Sequence, residues 1–271
     1  MFPASQQPAL AEVVRRARYL LLDFDGPVCS LFAGYPAAEI ADEMHVLIRS
    51  YLDGAVPPNI EAAAGDPLDL LCEAAELGND KLTRLMADAC RDAEVAAAVT
   101  ATPTPGAAEF LEAAHETGRP VIIVSNNATE AVNAYLAAHG LGQYVSYVSA
   151  RFDGMDPRRL KPDPFLLHRG LINGGADGTE SVFIGDSSSD VTAGLAVHIP
   201  TVGYANKPNK AQRLTEAGAA AVIDSMTTLA VALRRVPLGT HRNPDQSRIV
   251  TNRVVPAPPP HPGRRSGRSS R

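Results

Sequence analysis

The chain has 271 residues, 45% of them hydrophobic, which is enough for one large domain or for a core domain with a smaller one. Its net charge is −5, and residues 238–271 hold seven Arg and one Asp, so the remainder is strongly acidic and nucleic acid is excluded as the main partner. No stretch reaches the roughly 20 apolar residues of a membrane helix, and three cysteines without metal-ligand spacing indicate reduced thiols and a cytoplasmic location.

The first elements are predicted to be a short helix over 8–18 and a buried strand over 19–24, which ends in an acidic Gly-Pro turn. Three helices and almost no strand signal follow. They are predicted over 36–52, 67–77 and 80–99, with Asp66 and Asn79 as helix-start residues.

Strands and helices then alternate. Strands are predicted over 120–124, 144–149, 181–184, 201–204 and 220–223, and helices over 105–117, 129–139, 164–171 (capped by Asp163), 190–196 and 210–217. This alternation predicts a parallel sheet with helices on both faces. The segment 238–271 is rich in Pro and Arg and is predicted to be a disordered tail.

Polar clusters stand where three predicted strands end. They are Asp23-Phe24-Asp25, Ser125-Asn126 and Gly185-Asp186. Because the carboxyl ends of parallel strands share one edge of the sheet, and ligands bind there, we expect these clusters to meet in space.

Four segments in chain order resemble the motifs of the haloacid dehalogenase superfamily, in its phosphatase branch and of the phosphoglycolate-phosphatase type. They are Leu21–Gly26, Val124–Asn126, Leu160–Pro164 and Phe183–Asp190. The resemblance implies a Rossmann-like α/β core formed by residues 1–30 and 100–237. It also implies a small helical cap of the C1 type, inserted after the first strand as residues 31–99.

The resemblance further implies a Mg²⁺-dependent phosphatase. Asp23 would attack phosphorus and form an aspartyl-phosphate, and Asp25 would act as general acid and then as general base. Lys161 would hold Asp23 and the phosphoryl oxygens by charge. Asp23 and Asp186 would bind Mg²⁺ together with the main-chain carbonyl of Asp25, because magnesium prefers hard oxygen ligands.

Three further roles carry over to the matching positions. Ser125 and the Asn126 amide would donate hydrogen bonds to the phosphoryl oxygens, and Asp190 would steady the metal through water or through Lys161. Each residue also has a simpler reading on its own. Asp25 can be a turn or helix cap, Ser125 and Asp190 can be helix caps, and Lys161 can be a solvated side chain.

The implied substrate is a small phosphorylated metabolite, and the chain is expected to be a monomer or a dimer. Two alternatives stay open. A phosphomutase of the same fold would pass the phosphoryl group from Asp23 to a sugar, and a non-catalytic phosphate-binding protein would keep the fold without the reaction.

Overall fold

A computed structural model of the chain describes residues 6–54, 56–63, 65–236 and 238, and for residues 6–8 the backbone alone. The predicted disordered tail lies outside the described residues, apart from Leu238. Among the helices of the described ranges, none is long and apolar enough to cross a membrane.

The regular elements of the described residues are bounded as follows. The strands are β1 Tyr19–Leu22, β2 Cys29–Ser30, β3 Thr102–Pro103, β4 Val121–Ala128, β5 Val145–Arg151, β6 Ser181–Gly185, β7 Thr201–Tyr204 and β8 Ala221–Ile223. The helices are α1 Gln6–Arg16, α2 Ala37–Tyr51, α3 Pro58–Ala62, α4 Pro67–Glu76, α5 Asp80–Thr100, α6 Ala107–Glu116, α7 Thr129–Ala138, α8 Phe165–Gly174, α9 Ser188–Ala196, α10 Lys210–Glu216 and α11 Met226–Arg235.

Six strands form one parallel sheet in the order β5-β4-β1-β6-β7-β8. The short strand β1 lies at its centre, where Leu21 is level with Ile122 of β4 and Phe183 of β6. The predicted parallel α/β fold is therefore confirmed. The strand order places the segment that follows β1 between the carboxyl ends of β4 and β6. Those two ends carry the other two predicted polar clusters.

Alternating side chains divide the sheet into two buried faces. Leu20 and Leu22 belong to the cluster that packs against α1, α6, α7 and α11. Leu21 points to the other face and joins a cluster with residues of α8 and α9. Because both faces are covered, the apolar run of β1 is continuous rather than alternating with polar residues.

The helices α2 to α5 pack around a hydrophobic cluster of their own, which includes Ile40, Met44, Leu71 and Met86. We call residues 31–99 the insert. Asp66 and Asn79 cap α4 and α5, as the sequence predicted, and each side chain accepts hydrogen bonds from the first turn of its helix. These caps satisfy amides that would otherwise lack partners at a helix start.

The structure adds elements that the sequence analysis left unassigned. The antiparallel pair β2–β3 joins Cys29 to Pro103 and Ser30 to Thr102, so it closes the two ends of the insert. Helix α3 is a short element of five residues, and α11 buries Leu229 and Leu233 where it packs beside α6. The strand β4 also extends beyond its predicted end at 124, because Ser125 and Ala128 still pair with β5 across an irregularity.

Candidate active site

The polar clusters meet at the carboxyl edge of the sheet, as predicted. Asp23 follows β1, Asp186 follows β6, and Asn126 lies in the last part of β4. A cavity of about 280 Å³ opens over this edge. It is lined on the sheet side by Asp23, Asp25, Asn126, Asn127, Lys161 and Asp186. Ser125 and Asp190 are fully buried and do not line the cavity.

Lys161 connects two of the predicted acids. Its Nζ lies 2.7 Å from Asp23 Oδ1 and 2.7 Å from Asp190 Oδ1, and it donates a hydrogen bond of 3.1 Å to the carbonyl of Val124. Burial disfavours the charged lysine, but the carboxylates of Asp190 and Asp23 outweigh burial and raise the pKa of Lys161 above its usual range. Lys161 is therefore a permanent cation that fixes Asp23 in place.

Asp23 has two oxygens in different surroundings. Oδ1 accepts from the amide of Phe24 at 2.8 Å and contacts Lys161, while Oδ2 has no hydrogen-bond partner among the described residues. Burial raises the pKa of Asp23 well above its usual range, and the neighbouring Asp190 raises it further. One oxygen is thus anchored and the other is free to react or to bind a cation.

Asp25 is held separately from this cluster. Its Oδ1 accepts a hydrogen bond of 2.8 Å from the amide of Leu31, which fixes the carboxyl group at the start of the insert. Burial raises the pKa of Asp25 to about 6, against the opposing effect of the Leu31 amide. A carboxyl group with such a pKa can both donate and accept a proton near neutral pH.

Gly26 allows the turn after β1 to approach Asp186. Its φ is +104°, and a Cβ atom at this position would lie 2.3 Å from Asp186 Oδ2. Any other residue would therefore be strained and would displace the Asp186 carboxylate. The glycine of the first motif is required by this contact.

Asp190 holds the loop after β6 through a capping box with Ser187. Its Oδ2 accepts from the amides of Asp186 and Ser187 at 3.1 and 3.0 Å and from the Ser187 hydroxyl, while Oδ1 contacts Lys161. Both of its oxygens are thus committed to protein groups. The helix-cap role of Asp190 is therefore present, and its predicted role of steadying a metal through water or through Lys161 stays a prediction.

Asp186 has cationic and amide neighbours that the sequence analysis did not place there. Lys210 Nζ contacts Asp186 Oδ2, and Asn206 lies at hydrogen-bond distance from the same oxygen and accepts from Lys210 at 3.0 Å. Burial raises the pKa of Asp186, although Lys210 opposes this. Asn206 lies in the loop between β7 and α10, and Lys210 is the first residue of α10.

The acids form a donor set that suits a divalent cation. Carboxylate oxygens of Asp23, Asp186 and Asp190 lie within 4.8 Å of one another. Because both oxygens of Asp190 are engaged by protein groups, Asp23 and Asp186 are the members of this set that can bind the cation directly. Asp25 adds a fourth carboxyl group, whereas the two neighbouring lysines supply two positive charges. If all are ionised, two negative charges remain, which one Mg²⁺ would offset.

A buried network connects the insert to this edge of the sheet. Glu94 of α5 accepts from Asn127 Nδ2 at 3.1 Å and from the amide of Ala128 at 2.8 Å, and it forms a salt bridge with Arg151 of β5. Asn127 in turn accepts from the Ser125 hydroxyl at 3.1 Å. Neither Glu94 nor Arg151 stands out in the sequence, because a lone acid on a helix usually faces solvent. The predicted contact of Ser125 with phosphate stays a prediction, since its hydroxyl is bonded to Asn127.

The Asn126 side chain binds the main chain of Lys161. Its Nδ2 donates to the Lys161 carbonyl at 3.1 Å, and its Oδ1 accepts from the Lys161 amide at 2.8 Å. This pair of hydrogen bonds positions the loop that carries the Lys161 ammonium. A contact of the Asn126 amide with phosphate stays a prediction.

Replacing Asn126 by alanine should lower the free energy of unfolding by about 1–3 kcal/mol, because two main-chain groups of Lys161 lose their partners. Denaturant unfolding measures the change. Asn133→Ala is the control, since Asn133 is exposed on α7. Equal stability of the two variants would contradict a positioning role for Asn126.

A family model described as haloacid dehalogenase-like hydrolase matches residues 18–198, which is more than half of the chain. The matched range contains all of the predicted site residues. It also contains the insert and the strands β1 to β6.

Curated relatives match over a shorter range. The chain is 32% identical over 125 residues to the phosphoglycolate phosphatase of Photobacterium profundum, covering 46% of this chain and 53% of that protein. It is 29% identical over 125 residues to the phosphoglycolate phosphatase of Pseudomonas fluorescens (strain Pf-5), covering 46% of this chain and 45% of that protein. The chain thus spans about half the length of the curated relatives it matches.

Solved structures match over most of the chain. The crystal structure of a predicted phosphatase from Clostridium acetobutylicum has a TM-score of 0.63 at 17% identity, covering 81% of this chain and 99% of that one. CbbY from Rhodobacter sphaeroides in complex with phosphate has a TM-score of 0.59 at 15% identity, covering 80% and 99%. At such identities the likeness shows a shared α/β fold.

Proposed function

The chain belongs to the haloacid dehalogenase-like hydrolases, and from this premise we propose that it hydrolyses a small phosphate monoester through an aspartyl-phosphate on Asp23. The observation that carries the proposal is the placement of Asp23. One oxygen is anchored by Lys161 and the Phe24 amide, and the other is free beside the cavity. A carboxylate fixed in this way is oriented for attack on phosphorus.

The residues around Asp23 divide the remaining work. Asp25 gives its proton to the leaving oxygen and then takes one from the hydrolytic water, which its pKa of about 6 permits. Lys161 stabilises the negative charge on the transferred group and keeps Asp23 in place. Residues 31–99 act as a cap that covers the cavity and keeps bulk water from the aspartyl-phosphate.

Asp23, Asp186 and the main-chain carbonyl of Asp25 would hold Mg²⁺, with Asp190 supporting Asp186 from behind. Bound there, the cation would offset the charge repulsion between the phosphate ester and the Asp23 carboxylate. Phosphate release from an aryl phosphate should therefore require Mg²⁺ and stop when a chelator is added. Turnover that persists in excess chelator would contradict the metal requirement. Release of inorganic phosphate without an added sugar acceptor would separate a phosphatase from a phosphomutase.

Replacing Asp25 by asparagine should lower turnover to a degree that depends on the leaving group of the substrate. For an alkyl phosphate, turnover should fall by about 10²–10⁴-fold, since the alkoxide then departs without a proton. For p-nitrophenyl phosphate, whose leaving group needs no proton, Asp23 should still be phosphorylated, and the second step should stall. Stopped-flow absorbance should then show one burst of nitrophenolate per enzyme, followed by slow turnover. The absence of a burst, with equal losses for both substrates, would contradict the acid–base role.

A further inference from the structure

We infer that the site selects monoesters whose leaving group is neutral or cationic, and that Asp66 disfavours substrates with a second anionic group. This inference rests on the proposed function and specifies its substrate class. The insert lines the cavity opposite the sheet with Phe32, Ala37, Asp66 and Leu68.

The insert's part of the cavity lining carries one formal charge, which is negative. Phe32, Ala37 and Leu68 are apolar, and Asp66 is the charged member. The arginines of the insert are directed elsewhere within the described residues. Arg49 pairs with Glu61 at 2.8 Å and Arg91 pairs with Asp88 at 2.6 Å, while Arg84 lines a separate cavity beside Asp153.

The start of α4 cannot serve as an anion site either. A helix start usually attracts anions through its free amides. Here the amides of Leu68 and Asp69 donate to Asp66 Oδ1 at 2.8 and 3.3 Å, so the protein's own carboxylate already occupies them. The helix end that reaches the cavity therefore presents a negative charge.

The cations on the sheet side are already balanced. Lys161 is shared by two carboxylates, and Lys210 contacts Asp186. The positive charge of Lys207 lowers the pKa of Asp25, which burial raises more strongly. Lys207 is nevertheless exposed and does not line the cavity. These groups face the phosphoryl end of a substrate. At the other end, a carboxylate or a second phosphate would meet Asp66 and apolar side chains, whereas an ammonium or hydroxyl group would not be repelled.

Three two-carbon esters test this because they differ in terminal charge. They are 2-phosphoglycolate, 2-hydroxyethyl phosphate and phosphoethanolamine. We expect kcat/KM to rise in that order, by about tenfold per unit of charge, as for a charge pair at the edge of a solvated cavity. The differences in kcat/KM among the three esters should become smaller in high salt, because exposed charges are screened. Each ester is also measured as a competitive inhibitor of aryl phosphate hydrolysis. Its inhibition constant ranks the three esters even where an ester is hydrolysed slowly.

The variant Asp66→Asn keeps a helix cap and removes the charge. It should reduce the preference for phosphoethanolamine over 2-phosphoglycolate by about a hundredfold, since these two esters differ by two units of terminal charge. Asp69→Asn is the matched control, since Asp69 lies on the same helix and outside the cavity lining, and it should leave the preference unchanged. A preference for 2-phosphoglycolate, no discrimination, or an unchanged preference in Asp66→Asn would overturn the inference. If the aryl phosphate is also not hydrolysed, the proposed function fails as well.

Discussion

Replacement of Asp23 by asparagine should lower phosphate release at least about a thousandfold, because an amide oxygen is too weak a nucleophile to attack phosphorus. The variant should keep its fold, since the asparagine side chain is nearly isosteric and can still accept from the Phe24 amide, as Asp23 Oδ1 does. The loss then reflects chemistry and not misfolding. Circular dichroism and thermal melting check the fold, and a phosphate assay measures the rate.

A second measurement identifies the intermediate on the unaltered protein. During turnover, an acyl phosphate on Asp23 should be reduced by borohydride, which converts that aspartate to homoserine. Mass spectrometry of the peptide that contains Asp23 would detect the change. Asp153→Asn is the control for the kinetic experiment, because Asp153 is exposed and does not line the cavity. Retained turnover in Asp23→Asn, or reduction at a different aspartate, would contradict the mechanism.

Replacement of Glu94 by alanine should lower the free energy of unfolding by about 3–5 kcal/mol, because Arg151 would be left buried without its counter-ion. The Arg151 side chain is 5% exposed and that of Glu94 is 0% exposed, so water cannot replace the lost carboxylate. Asn127 and the Ala128 amide would lose their acceptor as well. Chemical denaturation measures the change.

The controls for Glu94 come from the same insert. Glu61→Ala breaks the salt bridge between Glu61 and Arg49, whose side chains are 48% and 57% exposed respectively. This variant should lower the free energy of unfolding by less than about 1 kcal/mol. A double variant with methionine at both 94 and 151 should be more stable than Glu94→Ala, because no buried charge is left alone. Equal losses in Glu94→Ala and Glu61→Ala would show that the buried pair does not stabilise the fold.

Much of the sheet could be predicted because its signals are local. The strand Thr201–Tyr204 and the caps Asp66 and Asn79 each depend on neighbours in sequence, and the structure confirms them. The strand predicted over 19–24 is also present, but it ends at Leu22. The meeting of Asp23 and Asp186 also followed from a general rule, since parallel strands end at one edge.

What could not be predicted depends on contacts between distant segments. Glu94 sits on a helix of mixed polarity, and its burial arises from Arg151, 57 residues away. Lys210 reads as an ordinary helix-start lysine until the β7–α10 segment folds onto Asp186. The Ser125 hydroxyl is oriented by two hydrogen bonds inside β4: it donates to Asn127 Oδ1 and accepts from the Asn127 amide. A hydrophobic pattern in the sequence does not indicate such local bonds.

The central position of β1 has a consequence for folding. This strand is synthesised early, yet its two neighbours begin at residues 121 and 181, so both of its pairings close long loops. Contacts of such high sequence separation slow folding, because the entropy of loop closure is lost before the pairing is gained. During synthesis, the acidic cluster cannot assemble until Asp186 and Asp190 have left the ribosome. A shorter nascent chain contains Asp23 without the acids that surround it in the folded protein.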